Sequence, residues 1–332
     1  MKEKLLEIKG LKTSFRIAGE YYAAVDDVYL DIYKNEVFAL VGESGSGKSA
    51  MALSVTKLHN SNYTRIEGEV IFDGKDLITL NEAGINKVRG RHIGMIFQDP
   101  LSALNPLQRV GAQIEESLTY HTNFDAAGKK ARALELLEGV GMVNPKLTYS
   151  QLPHELSGGM RQRAMIAIAL SCKPDLVIAD EPTTALDVTI QAQILDLLRK
   201  LQSEMKSSII LITHDLGVVA EMADRVGVMY AGQIVELAPV RELFKNPQHP
   251  YTRSLIASIP SMEGGNERLH VIQGVVPPLQ HLPRIGCRFS HRTPWVPTDI
   301  HEENPVLHEV APEHYVLCSC YKSFSFEGQE AV

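Results

Sequence analysis

Four cysteines in 332 residues are too few for a disulfide framework. No stretch approaches the ~20 apolar residues that a membrane-spanning helix needs, and the mean hydropathy is -0.07. The start, Met1-Lys2-Glu3-Lys4, lacks the apolar core of a secretion signal. A soluble, cytosolic chain is therefore expected. There is no excess of base either: Lys+Arg number 33 against Asp+Glu 40, a net charge of -7, with a pI near 6.0. That balance disfavours a broad nucleic-acid-binding surface. Internal repeats and low-complexity tracts are absent. What remains is an ordinary globular composition, 44% hydrophobic and 22% charged, with length for about two domains.

Proline usage shifts along the chain. Residues 241–332 hold ten of the seventeen prolines and seven of the twelve histidines. A domain boundary is expected at about 240. The first 240 residues alternate strands and helices. Glu36–Val41, Asp175–Asp180 and Ser208–Thr213 are short apolar runs of the kind that fill a parallel sheet covered on both faces. Between the last two, Thr189–Lys206 carries helical spacing at Ile190, Ile194, Leu197, Leu198 and Leu201, which implies a right-handed crossover. Residues 100–157 have little strand character, and Leu134, Leu137 and Val140 point to a helical insert. Leu5–Leu11, Ala24–Ile32 and Glu67–Asp73 read as shorter strands of an antiparallel layer.

Gly42-Glu43-Ser44-Gly45-Ser46-Gly47-Lys48-Ser49 matches G-x-x-x-x-G-K-[ST], with a buried strand before it and a helical run, Ala50–Leu58, after it. The glycines allow backbone N–H groups to turn inward around phosphate oxygens. The helix start, through Ala50, favours negative charge. Lys48 is expected to reach the β- and γ-phosphates, and the Ser49 hydroxyl to ligate Mg²⁺. The bland reading is a Gly/Ser turn. Asp180 and Glu181 end a buried strand, where a Mg²⁺-holding acid belongs. Asp180 is assigned to the metal side and Glu181 to the attacking water, unless one merely caps the next helix. His214, after the strand 208–213, is read as a γ-phosphate contact; the alternative is a structural hydrogen-bonding residue.

These residues carry a family resemblance. Leu156-Ser157-Gly158-Gly159-Met160-Arg161-Gln162-Arg163 resembles the signature motif of ABC transporter ATPases. Phe97-Gln98-Asp99-Pro100 resembles their Q-loop and Ala185-Leu186-Asp187 their D-loop, while His214 falls where the switch histidine does. The run Gln98–Pro106, Met160 and His249-Pro250-Tyr251-Thr252 are similar to the ATP-binding subunits of oligopeptide and dipeptide importers. The resemblance implies an α/β P-loop NTPase with a parallel core sheet, an antiparallel β layer, a helical subdomain at about 100–157 and a small C-terminal extension over 241–332. It also implies ATP-driven peptide uptake, with ATP sandwiched between subunits.

In such a sandwich Ser157, Gly158 and Gly159 of one subunit complete the phosphate site of another. The implied partners are a second, usually non-identical ATPase, two membrane-spanning permease subunits and a substrate-binding protein. No nucleic acid is expected. The chain would sit at the cytoplasmic face of the membrane. Gln98 would touch Mg²⁺ and the attacking water, and Leu101, Leu104 and Leu107 would either receive a coupling helix or belong to the core. An aromatic ring usually holds adenine; Phe15 is the first candidate and Tyr22 the second. Importer ATPases of nickel or other small solutes are similar, and a soluble ABC ATPase acting on ribosomes or DNA is the alternative class. A catalytically silent ATP-binding scaffold is the third, against which Glu181, Lys48 and His214 argue.

The resemblance further implies a four-cysteine iron–sulfur site near the C-terminus. Cys287, Cys318 and Cys320 match, but Thr293 and about Ile300 stand at the two middle positions. Neither supplies a thiolate, so no iron–sulfur cluster is expected. His291, His301 and His308 are the candidate substitutes at those two positions; the open alternatives are zinc held by the three cysteines and one histidine, and three free thiols.

Overall fold

The computed structural model describes residues 2–184, 186–258, 274–283 and 285–324. In chain order its strands are β1 Lys4–Ile17, β2 Glu20–Tyr33, β3 Val37–Val41, β4 Thr64–Phe72, β5 Lys75–Asp76, β6 Ile93–Ile96, β7 Leu176–Asp180, β8 Ser208–Ile212, β9 Arg225–Tyr230, β10 Gln233–Pro239, β11 Leu307–Ala311 and β12 His314–Leu317. The chain forms two compact units. One comprises Met1–Leu6, Ile32–Val37 and Phe72–Ile212; the other comprises Glu7–Asp31, Phe38–Ile71 and Thr213–Val332.

In the first unit, β6, β7 and β8 are parallel neighbours, with Ile93 opposite Leu176 and Asp180 opposite Ile212. Every residue of β7 and β8 is buried, as expected of strands covered on both faces. The crossover helix Val188–Met205 starts at Asp187, whose carboxylate accepts the Ile190 N–H at 3.0 Å. It buries Ile194, Leu195, Leu197 and Leu198. It ends at Lys206, whose φ of 55° breaks the helical path. The insert is helical, as the sequence implies. Val110–His121, Ala126–Gly139 and Pro145–Ser150 pack on one another, and the first two also pack on the helix Gly158–Ala169. Ile114, Leu118, Leu136 and Leu137 fill that core.

In the second unit, β1 and β2 are joined by Ala18-Gly19, both with positive φ. That is the two-residue turn that closes an antiparallel hairpin, and β4 lies on the other side of β1. β3 pairs in parallel with β9, Phe38 opposite Arg225 and Val41 opposite Val228. β9, β10 and β12 then continue antiparallel, with β11 outside β12. The last hairpin thus adds strands to the sheet that carries β3. Beside it, Tyr230, Tyr251 and Phe289 form an aromatic cluster with ring centroids 4.8–5.5 Å apart.

Glu236, in the middle of β10, is completely buried. Its carboxylate accepts the N–H groups of Gln248 and His249 and the His314 Nε2–H, each at 2.8 Å. A buried carboxylate is tolerable here because three donors surround it. His249 in turn caps the helix Pro250–Ala257 by accepting the Tyr251 N–H at Nδ1, 3.1 Å away. Burial pushes His249 down to about 4, so the ring stays neutral and keeps that acceptor.

Candidate functional site

The phosphate loop lies in the second unit. Gly42, Gly45 and Gly47 have φ of 153°, 79° and 105°. A Cβ on Gly42 would sit 2.1 Å from the Met229 carbonyl oxygen, and one on Gly47 2.5 Å from that of Ala24. Only glycine fits at either position. Ser44 is exposed and Ser46 buried. The helix Lys48–Val55 follows at once, and no side chain caps its first turn. Such a start suits an anion. Lys48 is 5% exposed, and its Nζ donates to the carbonyl oxygens of Gly42 at 2.8 Å and Glu43 at 2.9 Å. The ammonium is therefore held over the loop's own concavity. Glycines that a Cβ would clash with, an uncapped helix start and a positioned lysine fit a nucleotide triphosphate.

Glu43 is fixed by the C-terminal segment. Its N–H donates to the Tyr251 hydroxyl at 2.8 Å. Its carboxylate accepts from the Arg292 guanidinium at 2.7 and 3.3 Å. Burial, and then the Glu43 charge, push the Tyr251 hydroxyl above its ordinary range, so it stays protonated. Arg292 belongs to no motif, and the sequence gives no sign of this contact. Tyr251 stands in a motif used above only as a likeness. His214 is exposed and belongs to this second unit; its neighbour Asp215 caps the helix Leu216–Met222.

Phe15 is half-buried, and its ring meets His59 edge-on at 5.2 Å. His59 reaches the Ala50 carbonyl at 2.9 Å, so Phe15 flanks the helix that follows the loop. Tyr22 borders a pocket of about 190 Å³ with Tyr21, Lys12, Asp26 and Arg288. Its hydroxyl donates to Glu20.

The acidic group lies in the first unit. Asp180 is buried at the carboxyl end of β7. Glu181 has φ 45°, a left-handed conformation that costs energy for a residue with a side chain. One of its carboxylate oxygens accepts from Gln98 Nε2 and from the Thr184 hydroxyl, both at 2.8 Å. Neither Asp180 nor Glu181 caps the next helix, because Asp187 does. The capping alternative is thereby removed. Of the D-loop, Leu186 and Asp187 are described and Ala185 lies outside the described residues.

The signature helix begins at Gly158. Ser157 caps it, its hydroxyl accepting the Met160 N–H at 3.3 Å. Ser157 and Gly158 are exposed. Buried Gln162 donates to the Pro182 carbonyl at 2.6 Å. That contact ties the signature helix to the loop after Glu181, and the sequence reading missed it. Leu101 and Leu107 are 60% and 88% exposed, but Leu104 is 3% exposed and belongs to the core.

Near the C-terminus, one donor atom each from Cys287, His301, Cys318 and Cys320 lies within 4.8 Å of the other three. His308 instead bonds Glu302 at 2.6 Å. An iron–sulfur cluster does not fit here. A [4Fe–4S] cluster takes one thiolate on each of four separate irons, whereas here three thiols and one imidazole lie within 4.8 Å of one another.

Residues 25–184 match the family model of the ABC transporter, and residues 235–296 that of the oligopeptide/dipeptide transporter C-terminal region. The chain is 50% identical over 329 residues to the oligopeptide transport ATP-binding protein OppD of Lactococcus lactis subsp. cremoris (strain SK11), covering 99% of this chain and 97% of that protein. It is 50% identical over 316 residues to OppD of Bacillus subtilis (strain 168), covering 94% and 88%. Its fold is similar to a dimeric ATP-binding cassette, MJ0796, bound to ADP and Pi, with a TM-score of 0.65 and 29% identity over 71% of this chain and 99% of that one. Among the described residues no helix is long and apolar enough to cross a membrane. On the nearly full-length identity, the chain belongs to the oligopeptide transport ATP-binding proteins, the ATPase subunits of ABC transporters.

Proposed function

We propose that this chain hydrolyses ATP to power the uptake of oligopeptides or dipeptides, as half of an ATP-sandwich pair. The fitted phosphate loop Gly42–Ser49 is the observation that carries the reading, together with full-length identity to named oligopeptide transport proteins. Residues 1–240 form the nucleotide-binding part and 241–332 the importer-type extension.

Backbone N–H groups of the loop through Ala50 cradle the phosphates, and Lys48 holds the β- and γ-oxygens. Ser49, Gln98 and Asp180 would hold Mg²⁺, which would supply positive charge to offset that of the phosphates. Glu181 orients water for in-line attack, and His214 contacts the γ-phosphate. No covalent intermediate is needed. Phe15, with Tyr22 as its alternative, holds adenine. Ser157, Gly158 and Gly159 serve the nucleotide of the partner ATPase from a helix start whose first residues, Ser157 and Gly158, are exposed.

The partner is a related, non-identical ATPase. Two permease subunits dock at the exposed side chains of Leu101 and Leu107, and a substrate-binding protein delivers the peptide. The chain thus works peripherally, at the cytoplasmic face of the membrane. Affinity purification of the tagged chain from detergent-solubilised membranes tests this. Recovery of two membrane subunits and a second ATPase is expected. Recovery of ribosomal proteins instead would contradict it.

A further inference from the structure

We infer that Cys287, His301, Cys318 and Cys320 bind one zinc ion. Their donor atoms all lie within 4.8 Å of one another. A tetrahedral zinc with Zn–S near 2.3 Å and Zn–N near 2.0 Å sets its ligands roughly 3.5–3.8 Å apart. A small inward movement of each side chain closes that figure. Three sulfurs and one imidazole select a soft or borderline ion over Mg²⁺ or Ca²⁺. Four protein ligands leave no open position, which marks a structural site.

A second observation points to a ligand. Both ring nitrogens of His301 are buried, and neither has a hydrogen-bond partner among the described residues. A buried imidazole with two unmet nitrogens is costly. A metal bond removes much of that cost. The Glu302 N–H also lies 3.4 Å from the Cys318 sulfur, the usual backbone support for a metal-bound thiolate. The three cysteines are buried and in no disulfide.

The site has a structural consequence. Its ligands come from the turn after Gly286, the residue after the 3₁₀ turn Thr298–Ile300, the end of β12 and the 3₁₀ turn Ser319–Ser323. Between Cys287 and His301 lie Phe289, in the aromatic cluster, and Arg292, which holds Glu43. Zinc therefore closes the loop that fastens this segment to the phosphate loop. Loss of the ion would loosen Arg292 before it disturbed β3.

The test is metal analysis of the full chain purified without oxygen or chelator. One zinc per chain, no iron and no acid-labile sulfide are expected. Exchange of Co²⁺ into the same protein should give thiolate-to-cobalt charge transfer and tetrahedral d–d bands, a readout that needs no variant. His301→Ala should weaken zinc affinity at least about tenfold against a competing chelator. Iron with equimolar sulfide would overturn the inference. So would reduced wild-type protein that contains no zinc and takes up none when zinc is supplied.

Discussion

Arg292 and Glu43, 249 residues apart in sequence, form an ion pair at 2.7 Å in which the arginine side chain is 4% exposed. It joins the C-terminal segment to the second residue of the phosphate loop. The Tyr251 hydroxyl, on the helix Pro250–Ala257, accepts the N–H of the same residue. The loop is therefore held by groups that no phosphate-binding motif contains.

Arg292→Ala should lower the stability of the nucleotide-free chain by about 1–3 kcal/mol, since it leaves a partly exposed carboxylate without its partner. Tyr251→Phe, which removes only the acceptor of the Glu43 N–H, should cost about 1 kcal/mol. Urea unfolding gives both values. Each variant should also bind ATP more weakly than wild type in isothermal titration. Wild-type stability and affinity in both would show that the tether is incidental.

Glu236→Ala should be more damaging. It strands the N–H groups of Gln248 and His249 and the His314 ring around a fully buried position. A loss of at least about 2 kcal/mol is expected, the cost of several buried donors left unmet. Thermal unfolding measures it. A melting temperature equal to that of wild type would contradict the role of Glu236 as a shared acceptor.

Gln98→Ala removes a donor to the Glu181 carboxylate and leaves Thr184 in place. Turnover in the assembled complex should fall about tenfold or more, while ATP binding by the phosphate loop changes little. Steady-state kinetics separate the two effects. A rise in KM with unchanged kcat would place Gln98 in binding alone.

The local features were legible because local physics sets them. The motif sets glycines at Gly42 and Gly47, where a Cβ would collide with backbone carbonyls. The fully buried β7 and β8 read correctly as continuous apolar runs. By contrast, β9 and β10 left little trace. Gly227 interrupts the first, and Glu236 looks like a surface residue inside the second, although it is completely buried. Only the fold reveals its three donors. The Arg292–Glu43 pair escaped for the same reason, since periodicity carries no information across 249 residues. Of three candidate histidines, spacing left the choice open, and the turn at Thr298–Ile300 selects His301. Leu104 differs from its neighbours because the insert's core takes it while Leu101 and Leu107 stay outside.

The most direct measurement is nucleotide retention and turnover of Glu181→Gln in the assembled complex. The amide keeps the size and the hydrogen-bonding reach of the carboxylate but cannot draw a proton from water. The variant should hold ATP at least as tightly as wild type, stay in a closed ATPase pair, and hydrolyse about a hundredfold more slowly or worse, a barrier rise near 2.7 kcal/mol. ATP hydrolysis at the wild-type rate would contradict the account.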